Sequence, residues 1–127
     1  METIEGNKLI AKFMGAFKEN GHSDNFRVLP LGGDEYYIDL NDEDSAKFHE
    51  SWDWLMPVVE EIENTKMING DWFMVSIGKF KVSIIRKCRL GNPYFDDEIY
   101  HVDTMTKIDA TWNAVVEFVE WYNAHKK

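Results

Sequence analysis

One stretch of the chain carries the oxygen side chains that a calcium ion requires. From Asp39 to Glu50, oxygen ligands stand at positions 1, 3 and 5 and a glutamate stands at position 12, as in a calcium-binding loop. The stretch departs from that pattern because Asp44 replaces the glycine of position 6, and Lys47 occupies a position that usually donates oxygen. We therefore interpret it as an acidic loop that opens a helix, where the helix dipole stabilises carboxylates.

Other residue types that could perform catalysis form no complete motif. His49 and Glu50 begin a sequence like a zinc-protease helix, but Asp53 stands where the second histidine is required. Cys88 could act as a nucleophile with His101, although a strand cysteine is more often a small core residue. Four histidines share no metal-ligand spacing: His22, His49, His101 and His125. We predict no cofactor, no metal and no catalytic residue; a small metal-assisted hydrolase, with a site assembled from distant residues, is an alternative.

The negative charge of the chain is concentrated in one segment. Residues 34 to 63 hold eleven of the 23 acidic residues and one basic residue, within a net charge of −9. Such a surface repels phosphates, which disfavours direct nucleic-acid binding. A run of five cations lies outside this segment and alternates like a solvated strand face: Lys79, Lys81, Arg86, Lys87 and Arg89. We predict that Asp42, Glu43 and Asp44 belong to an interaction surface for another protein.

Two tryptophans complete the candidate interaction surface. At about 100° per residue, Trp121 projects about 140° away from the apolar stripe of its helix, and Trp54 about 100° away from its own. Trp121 should therefore lie outside the core contact of that stripe. Exposed tryptophan is a common anchor of protein interfaces, so both are candidate anchors; covering a neighbouring loop is the alternative interpretation.

The last helix is predicted from Lys107 to His125. Thr106 stands at the N-cap position, and Asp109, three residues later, places a carboxylate in the first turn. Apolar residues recur at steps of four and three, on one side of the helix: Ile108, Trp112, Val115, Val119 and Tyr122. This stripe predicts a helix laid on the core.

A first helix is predicted near Asn7 to Asn20. Asn7 can cap it, and Asn20 is followed by Gly21, a pair that favours a helix stop because both residues tolerate positive φ.

A second helical region is predicted from about Asp44 to Asn64. Its apolar stripe has the same spacing: Phe48, Trp52, Leu55, Val59 and Ile62. Pro57 removes a backbone hydrogen bond, so the helix either kinks or restarts near Ser51.

Two hairpins and a short strand complete the predicted elements. Strands at Phe26 to Leu31 and Glu35 to Leu40 surround Gly32-Gly33-Asp34, and Ile99 to Asp103 is a further strand. In the hairpin from Trp72 to Lys87, a type II′ turn at Gly78-Lys79 would pair Ile77 with Phe80, Val75 with Val82 and Phe73 with Ile84. We predict an α+β fold: an antiparallel sheet of four or five strands packed by the second and last helices, with the N-terminal helix at one edge.

The composition favours one compact domain over residues 1 to 127. The chain is 44% hydrophobic and has one cysteine, which allows no internal disulfide and fits a reducing compartment. It contains no run of 18 apolar residues and no secretory signal, so we expect a cytoplasmic protein without a membrane segment.

Three segments resemble a known group of proteins. NKLIAKFMG, SWDWLMPVVEEIE and KIDATWNAVVEFVEWYN are similar to sequences in a group of small uncharacterised proteins encoded in bacterial and bacteriophage genomes. These segments cover about a third of the chain. The resemblance implies a mobile-element or accessory-gene setting and carries no activity or catalytic residue.

These observations favour a small acidic, non-enzymatic interaction protein. Its partner would be another protein, and an accessory role in a mobile element or phage is the expected setting. A more specific alternative is that the acidic segment imitates nucleic-acid charge and inhibits a DNA-binding partner.

Overall fold

The computed structural model of the protein describes residues 2–18, 21, 25–31, 33–68, 70–78, 81–87, 97–102 and 106–125. Its elements are α1 (Thr3–Phe13), β1 (Phe26–Leu31), β2 (Asp34–Asp39), α2 (Trp52–Asn64), β3 (Trp72–Ile77), β4 (Val82–Lys87), β5 (Asp97–Val102) and α3 (Lys107–His125). In the part described, β1 and β2 form one antiparallel sheet, and β3, β4 and β5 form another in that order. The α+β class and the antiparallel pairing are confirmed, but the strands divide between two sheets instead of one, because α2 intervenes and packs against β3.

The last helix is the centre of the core. α3 contacts α1, α2, β4 and β5, and its predicted stripe is buried or half-buried. Phe118 is also fully buried, while Glu117 and Glu120 are exposed. The predicted cap is confirmed: Thr106 Oγ1 accepts a hydrogen bond from the Asp109 N–H at 3.4 Å and donates one to the Asp109 carboxylate at 2.8 Å.

The first helix begins and ends earlier than predicted. Asn7 is not its cap but lies in its second turn, buried. The helix ends where the Ala16 N–H donates to the Ala11 carbonyl at 2.9 Å and the Gly15 N–H donates to the Lys12 carbonyl at 3.1 Å. This is a Schellman motif, and it requires the left-handed backbone that Gly15 adopts at φ 87°. The predicted stop near residue 20 is therefore wrong, because Gly15 already ends the helix.

The second helix begins later than predicted. α2 begins at Trp52 with Ser51 at the N-cap position, and residues 44–50 are not helical, so the predicted start near Asp44 is wrong and the alternative start near Ser51 is confirmed. Trp52 is 38% exposed, so its assignment to the core stripe is wrong. It lies about 70° from the centre of the buried face, at the margin of the contact. That face consists of Leu55, Val58, Val59 and Ile62.

The second hairpin is confirmed with a different register. Ile77 pairs with Val82 and Val75 with Ile84, two residues away from the predicted pairing. Gly78 is not at positive φ and its N–H donates to the Lys81 carbonyl at 2.8 Å, so the predicted type II′ turn at Gly78 is wrong. A two-residue slip leaves every side chain on its predicted face.

Some predictions fall on residues outside the described ranges. These are His22, Cys88 and Arg89, together with Lys79 and Phe80 of the hairpin loop. Within the described ranges, the structure has no helix that is both long enough and apolar enough to cross a bilayer.

Candidate functional site

The acidic loop, defined as residues 39–45, is ordered by its own short polar side chains. One oxygen of Asp39 accepts from the Asn41 N–H, and one oxygen of Asp42 accepts from the Asp44 N–H, both at 2.9 Å. Ser45 Oγ accepts from the Asp39 N–H at 2.8 Å. The two aspartate contacts are Asx-type turns, and together with the Ser45 contact they hold the loop in shape. Within the described residues, no group of three His, Cys, Asp or Glu side chains is placed to hold a metal ion.

A buried asparagine holds the chain that follows the acidic loop against α1. Asn7 Nδ2 lies 3.0 Å from the Ala46 carbonyl oxygen and 3.0 Å from His49 Nδ1, and Asn7 Oδ1 accepts from Trp112 Nε1 at 2.9 Å. The indole N–H can only donate, so the amide oxygen must face Trp112 and the amide nitrogen must donate to the other two. His49 Nδ1 is therefore an acceptor. One side chain thus joins α1, the segment that follows the acidic loop, and α3.

A cleft of about 340 Å³ opens where the acidic loop meets the start of α1. The residues that line this acidic cleft are Glu2, Thr3, Ile4 and Glu43. Glu2 occupies the N-cap position of α1, but its side chain makes no capping hydrogen bond. In the part of the chain that the structure describes, neither Glu2 nor Glu43 forms a salt bridge. Two carboxylates from distant parts of the sequence therefore share one cleft with the aliphatic side chain of Ile4.

The rest of the acidic loop extends the negative surface beside this cleft. Asp42, Glu43 and Asp44 are all exposed, and none of the three forms a salt bridge within the described residues. Their charges are therefore balanced by solvent and ions alone in that part of the chain. The structure places these three predicted residues together, and their role in binding stays a prediction.

Trp54 lies beyond the C-terminal end of the acidic loop. Its ring centroid is 5.0 Å from that of Tyr36 and 5.4 Å from that of Phe48, in a half-buried position. Trp54 therefore covers β2 and the stretch before α2, as the alternative interpretation expected. Tyr36 itself remains 37% exposed, so this aromatic pair still reaches the surface.

Trp121 lies in another part of the molecule, near the end of α3. Its ring packs edge-on against Phe73 at 5.7 Å and is stacked with His125 at 4.7 Å. The Arg86 guanidinium lies 5.7 Å from the ring centroid and is held by Asp71, whose Oδ2 accepts from Nη2 at 2.7 Å and from Nε at 2.8 Å. Trp121 is half-buried and packs against the core, so it covers neighbouring residues, as the alternative interpretation expected; its role as an interface anchor stays a prediction.

Two residues of this site were not found from the sequence. Glu2 carried no signal, because only the folded chain brings it to Glu43. Asn7 carried a misleading one, because asparagine is a common N-cap and its buried amide is recognisable only from its partners.

Family models of proteins, curated protein sequences and solved structures were all compared with the chain, and none of them matches it. The chemistry of the acidic cleft is therefore argued from its own side chains. It offers two carboxylates, an aliphatic wall and the hydroxyl-bearing residue Thr3, an arrangement suited to holding a cation.

Proposed function

We propose that this protein is a small non-enzymatic interaction protein that binds a basic segment of another protein at the acidic cleft. The observation that carries the proposal is that Glu2 and Glu43 line one cleft with Ile4 and are not paired with any described cation. Lysine and arginine combine an aliphatic stem with a cationic head. The stem fits against Ile4, and the head reaches both carboxylates.

The exposed carboxylates around the acidic cleft support the same proposal. The Asp42 carboxylate accepts from the Asp44 N–H at 2.9 Å, so this charge is held in place before a partner arrives, and Asp44 lies beside it. Fixed charge of one sign steers an oppositely charged partner and raises the association rate, and salt screens this effect. Asn7 acts as a positioning residue, since it holds Ala46 and therefore the chain next to the acidic loop.

The cellular setting is part of the proposal. The resemblance of three segments to proteins of bacteria and bacteriophages supports an accessory role in a mobile element or phage, in the cytoplasm. A basic partner in that setting would be a protein rather than a nucleic acid, because the acidic segment repels phosphates.

The test is a calorimetric titration with a short peptide that contains lysine and arginine. Its counterpart, with glutamine at each basic position, controls for contacts that do not depend on charge. We expect Glu43→Gln to weaken binding about fivefold, equivalent to about 1 kcal/mol. Glu120→Gln is the matched control, because Glu120 is exposed on α3 and its replacement removes the same charge away from the acidic cleft. Equal losses in the two variants would show that only net charge matters and would refute the cleft.

A further inference from the structure

A second cleft lies along α1, between this helix and the β1–β2 hairpin. It has a volume of about 310 Å³. The residues that line this basic cleft are Lys8, Ala11, Lys12, Ala16, Arg27 and Leu40. Every charged residue among them is a cation, although the chain carries a net charge of −9. We propose that the basic cleft binds a small ligand that carries a phosphate monoester.

Two elements supply the cations from different sides of the basic cleft. Lys8 and Lys12 are four residues apart on α1, so their side chains lie one above the other on one face of the helix. Arg27 comes from β1, and its Nη1 donates to the Phe26 carbonyl at 2.8 Å, which fixes the direction of the guanidinium group. The three cations therefore converge from α1 and β1.

The Schellman motif at the end of α1 shapes one wall of the basic cleft. Because Gly15 turns the backbone, Ala16 folds back to donate to the Ala11 carbonyl and lines the cleft beside it. Two alanines present little side-chain bulk, and Leu40 adds a half-buried aliphatic surface. The interior of the basic cleft is thus open and partly apolar, and its positive charge comes from Lys8, Lys12 and Arg27.

An acidic residue that does not line the cleft, Glu5, lies beside Lys8. Glu5 forms a salt bridge to Lys8 at 3.5 Å, and the two side chains are 60% and 35% exposed. An ion pair this exposed is weak, because water and salt screen it. A dianion in the cleft competes with Glu5 for the Lys8 ammonium group and also contacts Lys12 and Arg27.

Size and charge together define the ligand class. Ligand pockets range from roughly 300 to 1,000 Å³, so a cleft of about 310 Å³ admits only a small molecule. A phosphate monoester carries up to two negative charges and several acceptor oxygens, which suits three converging cations better than a single carboxylate does. Leu40 and the alanines then accommodate a short aliphatic remainder. The basic cleft shares no lining residue with the acidic cleft, so this inference is independent of the proposed function.

The experiment is an NMR titration of the isotope-labelled protein with glycerol phosphate, inorganic phosphate and acetate at constant ionic strength. We expect saturable shifts at the amides of Ala11, Lys12, Ala16 and Arg27 with both phosphates, and weaker shifts with acetate. Lys12→Gln should weaken phosphate-monoester binding about tenfold, since it removes a charge-assisted hydrogen bond, and Lys12→Arg should retain most of it. Lys66→Gln is the matched control, because Lys66 is exposed and does not line the cleft.

Each outcome decides for or against the proposal. Equal losses in Lys12→Gln and Lys66→Gln, or shifts as large with acetate as with the two phosphates, would overturn it. Stronger binding of an oligonucleotide phosphodiester, or of vesicles that contain phosphatidic acid, than of glycerol phosphate would replace the small ligand with a macromolecular one and also overturn it. The melting temperature of Lys12→Gln should fall by no more than a few degrees, the loss of one charge in the last turn of α1, and this shows that lost binding is not lost folding.

Discussion

Two clefts of similar volume and opposite charge border α1. The acidic cleft, about 340 Å³, lies at the start of the helix, and the basic cleft, about 310 Å³, lies along its second half. α1 contributes to both. They differ in the second element: the acidic loop supplies Glu43 to one, and β1 supplies Arg27 to the other.

The two clefts contain charges that stabilise α1 through its helix dipole and charges that the dipole does not explain. Acidic residues at the start of a helix and basic residues near its end complement the helix dipole, so Glu2, Glu5 and Lys12 would be favourable in α1 without any ligand. The dipole does not account for Glu43 or Arg27, because each comes from another element and matches the sign already present. Glu43 and Arg27 are therefore the charges that helix stability does not explain and that a binding site would require.

Distance keeps the two charged regions separate. Glu2 and Lys12 are ten residues apart, which at 1.5 Å per residue is about 15 Å along the helix axis. The screening length at physiological salt is about 8 Å. Lys12 is therefore screened from Glu2, whereas Lys8, six residues or about 9 Å from Glu2, lies close to the screening length. α1 is the physical connection between the two clefts.

The largest expected effect comes from Asn7→Ala. This change leaves the buried Trp112 Nε1 and the Ala46 carbonyl without their partner, and we expect a loss of about 4 kcal/mol in the free energy of unfolding. The acidic cleft should suffer more than the basic one, because Asn7 holds the chain next to the acidic loop and no residue of the basic cleft bonds to Asn7 among the described contacts. Denaturant unfolding measures the first effect, and peptide and phosphate titrations measure the second. Equal weakening of both clefts would contradict this assignment of Asn7.

The next largest effect should come from Gly6→Ala. A Cβ at Gly6 would lie 2.3 Å from Cζ2 of Trp112, so α1 must move away from α3, at a cost of about 2 to 3 kcal/mol. Because α1 lines both clefts, both ligands should bind more weakly. The matched control for the free energy of unfolding is Gly15→Ala, where no atom lies within 4 Å of the added Cβ and only φ 87° opposes it, at a cost of about 1 kcal/mol. A Gly6→Ala unfolding midpoint equal to the parent would show that α1 and α3 are not closely packed.

These two changes also show where sequence reasoning reaches its limit. The bounds of α3 were predictable because Thr106 and Asp109 form a local cap and the apolar stripe is long. Gly6 and Asn7 were not, because their roles depend on Trp112, which is distant in sequence. The periodicity of apolar residues identifies which face of a helix is buried, but tertiary packing determines which element covers that face.

The second hairpin shows the same limit within a sheet. Alternation placed Phe73 and Ile84 on the buried face, and both are buried. The predicted pairing differs from the observed one by two residues. A slip of two residues keeps each side chain on the same face, so only the geometry of the turn distinguishes the two registers. In the candidate site, the exposed acidic residues Asp42 to Asp44 could be predicted by counting charges along the sequence. The proximity of Glu2 to Glu43 could not, because only the folded chain brings these two residues to one cleft.

A smaller effect should separate steering from contact within the acidic region. Asp42→Asn with Asp44→Asn removes charge but preserves the turns, since asparagine accepts the same backbone hydrogen bond. We expect association of the basic peptide to slow about threefold, with little change in dissociation and with unfolding unchanged, because exposed carboxylates contribute little to stability. Stopped-flow kinetics at two salt concentrations measure this. An association rate that keeps its parental salt dependence would leave the acidic loop as solvated surface.

The smallest expected effect is the coupling between the two clefts. A singly charged phosphate bound beside Lys12 adds negative charge about 15 Å from Glu2, and this should strengthen peptide binding by about 0.3 kcal/mol, less than twofold, when salt is very low. By linkage, bound peptide must strengthen phosphate binding by the same factor. At about 0.15 M salt the coupling should vanish, because the separation exceeds the screening length. Calorimetric titration of each ligand with and without the other, at both salt concentrations, measures the coupling. A coupling that persists at physiological salt cannot be electrostatic across this distance, and it would mean that ligand binding moves α1 itself.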